Sequence, residues 1–198
     1  MIETQTAWAC VAGWPVAHSR SPLIYGYWLK SLGIAGRYDR APVPPGSFNQ
    51  FAATIGRDGL VGANVTIPHK ESAFAACDRV SGAAADLGAV NTLWRENGRL
   101  CGDNTDVAGF LDNLDEEAPG WDDGAGTALV IGAGGAARAI LKGLLSRGFE
   151  RIALVIARSS APIAWPRISA PPSTLIRSRN LNPCCETRIS SSTQLPSG

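Results

Sequence analysis

The sequence predicts an α/β protein in two parts, an N-terminal α/β domain followed by a second α/β domain of parallel-sheet type that is left incomplete. Three observations carry this. Short apolar runs alternate with helix-period runs from Trp8 to Leu114, the order expected of strands and helices layered on one sheet. Residues 118–126 (Ala-Pro-Gly-Trp-Asp-Asp-Gly-Ala-Gly) then interrupt the pattern with linker composition. After them a buried run, a glycine-rich turn, a helix face and a second buried run spell one βαβ unit. The expected domains are 1–117, a linker at 118–126, a partial second domain at 127–158, and an irregular or disordered tail at 159–198.

Composition narrows the function classes. The chain has 198 residues, 45% of them hydrophobic, and a net charge of +1, so it can bury a core and offers no electrostatic case for nucleic acid or an anionic membrane as partner. Its apolar runs are far shorter than a bilayer span, and the N-terminus lacks a basic segment followed by an apolar one. The five cysteines (Cys10, Cys77, Cys101, Cys184 and Cys185) form neither a disulfide-scaffold spacing nor a CxxC pair, which leaves no metal site to predict and makes the cytoplasm the expected compartment.

In chain order, Trp8–Ala12 reads as a first strand ending at Gly13. The segment Pro15-Val16-Ala17-His18-Ser19-Arg20-Ser21-Pro22 leads into a helical pattern at Leu23, Ile24, Tyr27, Trp28 and Leu32. Ser21 before Pro22 reads as an N-cap with proline at the first helical position. It also reads, with Ser19, as a pair of hydroxyls at a helix N-terminus able to hold a small anion such as a carboxylate. Residues 36–43 suggest a second strand, Ser47 caps a helix through Phe48, Phe51, Ala52 and Ile55, and Leu60, Val61, Val65 and Ile67 a third, buried strand stopped by Pro68. Helical runs follow from Lys70 and from Val80 to Leu87. Asn97-Gly98 between two apolar runs predicts a hairpin. Gly102–Asp106 opens a helix carrying Val107, Phe110, Leu111 and Leu114. Thr127–Ile131, Gly132–Ala137, the face Ile140, Leu141, Leu144 and Leu145, and Ile152–Ile156 make the second domain's βαβ unit. Residues 159–198, rich in Ser, Pro and Arg, show no sustained period.

The chemistry-bearing residues gather at predicted strand ends, where open α/β sheets place their ligands. Asn64 and Thr66 close the third strand, Lys70 opens the next helix, and Asn91, Thr92 and Asp106 sit at neighbouring junctions. Together with Ser19 and Ser21 they suit a hydroxylated, anionic small molecule. Lys70 with Asp106 could handle a proton beside a carbonyl oxygen, although each also reads singly as a surface charge on a first helical turn. His18 and His69 acquire no role. The turn Gly132-Ala133-Gly134-Gly135-Ala136-Ala137 matches G-x-G-x-x-A between strand and helix, the context in which glycines admit a pyrophosphate. Arg158, where an NAD site would carry Asp or Glu, favours NADP.

Five motifs now stand together: His18-Ser19-Arg20-Ser21-Pro22, Asn64-Val65-Thr66-Ile67-Pro68-His69-Lys70, Gly88-Ala89-Val90-Asn91-Thr92, Asn104-Thr105-Asp106 and Gly132-Ala133-Gly134-Gly135-Ala136. In order and spacing they resemble shikimate dehydrogenase from about Ala9 to Arg158. The resemblance implies a substrate domain and a Rossmann NADP domain facing each other across a cleft, and reversible reduction of 3-dehydroshikimate to shikimate with NADPH. It implies that Ser19 and Ser21 bind the substrate carboxylate, that Asn64, Thr66, Asn91 and Asp106 contact its hydroxyls, that Lys70 partnered by Asp106 is the general acid–base, and that Gly132, Ala133, Gly134, Gly135, Ala136 and Arg158 serve the cofactor. A quinate-using relative and a non-catalytic module that binds shikimate-like ligands are the alternatives, and a homodimer is one assembly open to the chain. The family's Asn-Arg-Thr after the second Rossmann strand stands here as Ala157-Arg158-Ser159. The change of character at Ser159 reads as a frame shift or truncated coding sequence, from which impaired turnover is expected.

Overall fold

In the computed structural model, which describes residues 6–132, 136–156, 175–180 and 186–189, the first apolar run forms strand β1 (Trp8–Gly13), an interior strand of a six-stranded sheet. Parallel partners β2 (Arg37–Pro42) and β3 (Leu60–Val65) flank it. Outside β3 the sheet turns antiparallel: β5 (Thr92–Glu96) pairs with β3 and β6 (Arg99–Asp103) with β5, and the two-residue β4 (Arg79–Val80) closes the far edge beside β6. The β5–β6 hairpin turns at Asn97 and Gly98, both at positive φ (50° and 78°), the conformation that selects Asn-Gly for a two-residue turn.

Alternation along the strands separates two faces. Cys10, Ala12, Ala63, Val65 and Leu93 point to one, where they pack with Phe48 of α2 (Phe48–Ala52), Ala73 of α3 (Lys70–Ala76) and Ala84 of α4 (Gly82–Leu87). Val11 and Tyr38 point to the other, covered by Tyr25 and Leu29 of α1 (Ser21–Ser31).

The differences from expectation are local. Ile67 lies beyond the end of β3 and is 61% exposed, and Val61, skipped where the β1–β3 register shifts from Trp8 opposite Leu60 to Ala9 opposite Gly62, is 55% exposed, so only Leu60 and Val65 of the expected buried set are in the core. Helix α1 forms where expected, yet Leu23, Ile24, Tyr27, Trp28 and Leu32 face outward while Tyr25 and Leu29 meet the sheet. A helix apolar on more than one side leaves periodicity unable to choose the packed side. The cap position of α1 falls on Arg20 without a side-chain hydrogen bond, and Ser21 is already helical, which frees its hydroxyl from capping.

Burial has a titration consequence. The Cys10 thiol, shut away from water and facing the charge of Asp39, is pushed from 9.0 up to about 12, and Cys77, mainly by burial, to about 11. Burial also raises the Tyr38 phenol above its ordinary value. Below about pH 9 both the folded and unfolded chains keep these protons and the contribution is intact; above it the unfolded chain ionises first. Stability is therefore expected to fall as pH climbs from about 9 toward 12, and Cys10→Ala to flatten part of that slope, read as urea midpoints between about pH 8 and pH 10.5. An unchanged slope in the variant would show that Cys10 ionises equally in both states.

The chain divides into two units, Met1–Thr105 and Asp106–Gly198. In the second, β7 (Thr127–Ile131) and β8 (Arg151–Ile156) pair in parallel through the crossover helix α6 (Ala137–Ser146), whose Leu141, Leu144 and Leu145 pack with Val130, Ile152 and Leu154. Helix α5 (Asp106–Glu117), expected in the first domain, belongs to this unit: Phe110 packs with its core, and a Cβ on Gly143 would fall 2.9 Å from Phe110 Cδ1. An apolar stripe announces that a helix will be buried and leaves open which core takes it. Arg147, paired with Asp115 of α5 and with Asp122 (2.9 Å) of the loop after it, ties the end of α6 to both. Within the segment expected to be irregular, Leu175–Asn180 is a strand, β9, parallel to β8, and Glu186–Ile189 is β10, antiparallel to β9. Pairing on a sheet edge runs through main-chain groups and demands no hydrophobic period, so composition does not foretell it.

Candidate active site

The six-stranded sheet brings Asn64, Thr92 and Asp103 into register across three strand ends, Asn64 opposite Thr92 and Thr92 opposite Asp103. Because Ala63 and Val65 turn into the core, Asn64 turns to the α1 face, where its amide is held from both ends. The Tyr38 hydroxyl donates to Asn64 Oδ1 (2.7 Å), and Asn64 Nδ2 donates to Thr92 Oγ1 (3.3 Å). Thr92 Oγ1 in turn donates to Asn91 Oδ1 (2.9 Å), which also accepts Thr105 N–H (3.1 Å), while Asn91 Nδ2 reaches Thr105 Oγ1 (3.1 Å). One hydrogen-bonded run thus crosses from β2 to the end of β6 and fixes the orientation of both asparagines. Tyr38 is itself locked by a stacked Tyr25 ring at 4.2 Å, and with its phenol pKa raised it stays a neutral donor. Asn104, buried, donates to Ala89 O (2.9 Å) and so ties the β6 end to the segment before Asn91.

Thr66 follows β3, its N–H on Ala12 O (2.9 Å). Its methyl lies over Gly13: a Cβ there would fall 2.4 Å from Thr66 Cγ2, so β1 must end in glycine for Thr66 to keep its place. Lys70 opens α3, half-buried, with its carbonyl accepting Val90 N–H (2.9 Å), which sets its backbone one residue from Asn91. His69, 2% exposed, stacks on Phe48 and donates from Nε2 to Val43 O (2.6 Å). The histidine beside Lys70 is therefore a buried brace for the start of α3, while His18 is exposed.

At the other end of the site, Ser19 and Ser21 stand side by side. Ser19 Oγ accepts Ser21 N–H (3.3 Å) and donates to Ser21 Oγ (3.2 Å), a pairing that does not use the Ser21 hydroxyl proton. An anion needs donors of this kind. Asp106, the residue after Thr105, is the first of α5 and falls in the second unit.

Of the predicted cofactor residues, Gly132 and Ala136 are described. Gly132 has φ +100° with open space at its Cβ position, a backbone that only glycine adopts freely, and Ala136 occupies the N-cap of α6. Ala133, Gly134, Gly135 and Arg158 lie outside the described residues.

Within the first unit the structure thus joins Asn64 to Asn91 and Ser19 to Ser21. Sequence alone does not single out Tyr38, Thr105 or Gly13. The available signal for Tyr38 was a tyrosine on a strand flanking the core, whose hydroxyl needs a partner once buried; Gly13 closes a strand, where glycine often marks a close approach.

Residues 11–93 match the family model described as shikimate dehydrogenase substrate binding domain. The chain is 58% identical over 147 residues to a shikimate dehydrogenase (NADP(+)) of Brucella canis, covering 74% of this chain and 50% of that protein. It is 51% identical over 173 residues to one from Azorhizobium caulinodans, covering 81% and 62%. Among solved structures, it superposes on shikimate 5-dehydrogenase from Thermus thermophilus in complex with NADP(H) and shikimate with a TM-score of 0.67 at 38% identity, over 76% of this chain and 56% of that one. The chain is similar to the shikimate dehydrogenases over these residues and spans about half the length of the curated relatives it matches.

Proposed function

We propose that this protein binds shikimate and 3-dehydroshikimate in the first unit and takes part in their reversible, NADP-dependent interconversion. The observation that carries the reading is the hydrogen-bonded run Tyr38–Asn64–Thr92–Asn91–Thr105 beside the Ser19–Ser21 pair, an array of oriented amides and hydroxyls facing one sheet end. Ser19 and Ser21 take the carboxylate, and Asn64, Thr66 and Asn91 read the ring hydroxyls. The amides are preoriented, so little ordering cost remains for the ligand to meet.

The described residues fit the cofactor's pyrophosphate: Gly132 leaves open the space a Cβ would fill. Gly132, Ala133, Gly134, Gly135 and Ala136 would hold it and Arg158 the ribose phosphate, a choice of NADP that the naming of the relatives supports. NADPH, when bound, supplies the hydride. Lys70 gives a proton to the carbonyl oxygen as that oxygen becomes the hydroxyl, and takes the proton back in the oxidation. A cytoplasmic setting suits the free thiols of Cys10, Cys77 and Cys101.

Calorimetric titration of the chain with shikimate tests the reading. Saturable binding is expected, weakened roughly tenfold by Asn64→Ala, which removes both ends of one amide's hydrogen bonding. Absence of heat with the unaltered chain sinks the proposal. Adding NADP⁺ and following NADPH absorbance then separates an enzyme from a binding module, since the latter binds shikimate and forms no NADPH.

A further inference from the structure

We infer that Arg40 belongs to the anion end of the site as a positioning residue, bracing Ser19 and lending its positive charge to the substrate carboxylate; the inference rests on the shikimate reading above. Arg40 lies on β2 opposite Val11, two residues beyond Tyr38 and therefore on the same face of the sheet. Its guanidinium donates from Nε (3.0 Å) and from Nη2 (2.5 Å) to the backbone carbonyl of Ser19. That carbonyl belongs to the residue whose hydroxyl accepts Ser21 N–H and donates to Ser21 Oγ. The planar fork of an arginine directs two N–H groups at one acceptor, which constrains the turn more than one rotatable donor could.

Charge is the second part. A guanidinium keeps its proton at any working pH. The neighbouring Asp39 is engaged by Arg37 at 3.0 Å, and Arg40 forms no ion pair among the described residues. Covalent geometry sets its charge within roughly 7 Å of the Ser19 hydroxyl, which is inside the Debye length of about 8 Å at physiological salt. A carboxylate on the two serines would therefore feel an uncompensated cation whose other N–H groups remain to donate. A solvated charge on an edge strand would have no reason to converge two N–H groups on a loop carbonyl 21 residues away in sequence.

The test is calorimetry on the full chain with shikimate and with its methyl ester, at low and high salt, for the unaltered protein, Arg40→Met and Arg40→Lys. Arg40→Met is expected to weaken shikimate binding by about tenfold, to weaken the uncharged ester by no more than about threefold, and to flatten the salt dependence. Arg40→Lys keeps the charge without the fork and is expected to retain the salt dependence and recover part of the affinity. Equal losses for acid and ester would leave Arg40 a structural brace only and overturn the inference, as would unchanged shikimate binding in Arg40→Met. If the unaltered chain binds neither ligand, the shikimate reading itself falls and takes this inference with it, an outcome distinct from the other two.

Discussion

Replacing Lys70 by alanine is expected to lower NADPH formation from shikimate and NADP⁺ by about 10²–10⁴-fold, the range that a positioned proton carrier contributes. Shikimate affinity, read by calorimetry, is expected to change far less, because the asparagines and serines proposed to bind the ligand are held by contacts that do not pass through the lysine side chain: Asn64 by Tyr38 and Thr92, Ser21 by Ser19. The backbone of residue 70 remains tied through Val90 N–H, and the brace at His69 is untouched, so the start of α3 keeps its position. A loss confined to affinity, with turnover preserved, would remove Lys70 from proton transfer and make it a binding residue.

The second large effect is on stability. Leu93 is 1% exposed, paired with Ala63 on one side and Gly102 on the other, on a strand antiparallel to both its neighbours in the middle of the sheet. Its surroundings are close-packed: a Cβ added to Gly62 would fall 2.7 Å from the Leu93 carbonyl, and one on Gly102 would fall 2.6 Å from Cys77 Sγ and 2.8 Å from Val90 Cγ2. Backbones this near have little room to collapse into a void. Leu93→Ala is therefore expected to cost about 2–5 kcal/mol, the transfer of the lost carbons plus the cavity left behind. For a unit of this size that corresponds to a fall in melting temperature of roughly 10–30 °C by scanning calorimetry. Val61→Ala, at a side chain 55% exposed, is the control and is expected to stay within about 0.5 kcal/mol. Similar costs for the two would show that β5 does not carry the core.

Much of the fold was legible because local chemistry and period agreed. Asn97-Gly98 needed positive φ at both residues and obtained it; the βαβ pattern after residue 126 pairs β7 with β8 around α6. Where apolar residues occurred on more than one side, as along α1, or where a stripe could serve either core, as in α5, periodicity had no means of deciding. Val61 and Ile67 are apolar without being buried for a different reason: the β1–β3 register skips Val61 and the strand ends before Ile67, and alternation along one strand states neither.

The site divides along the same line. By itself the sequence determined which functional groups end the strands, because the motifs around Ser19, Asn64, Lys70, Asn91 and Asp106 set residue types at spacings that are local and covalent. Only the tertiary structure decided how those groups are oriented, since the partners come from distant segments. Tyr38 meets Asn64 because β2 and β3 both flank β1, Asn64 meets Thr92 because β5 returns antiparallel, and Arg40 meets Ser19 because a strand end passes beside the loop into α1. A hydrogen bond is directional and short, so a donor's partner is settled by the packing of the sheet and by nothing that can be read along the chain.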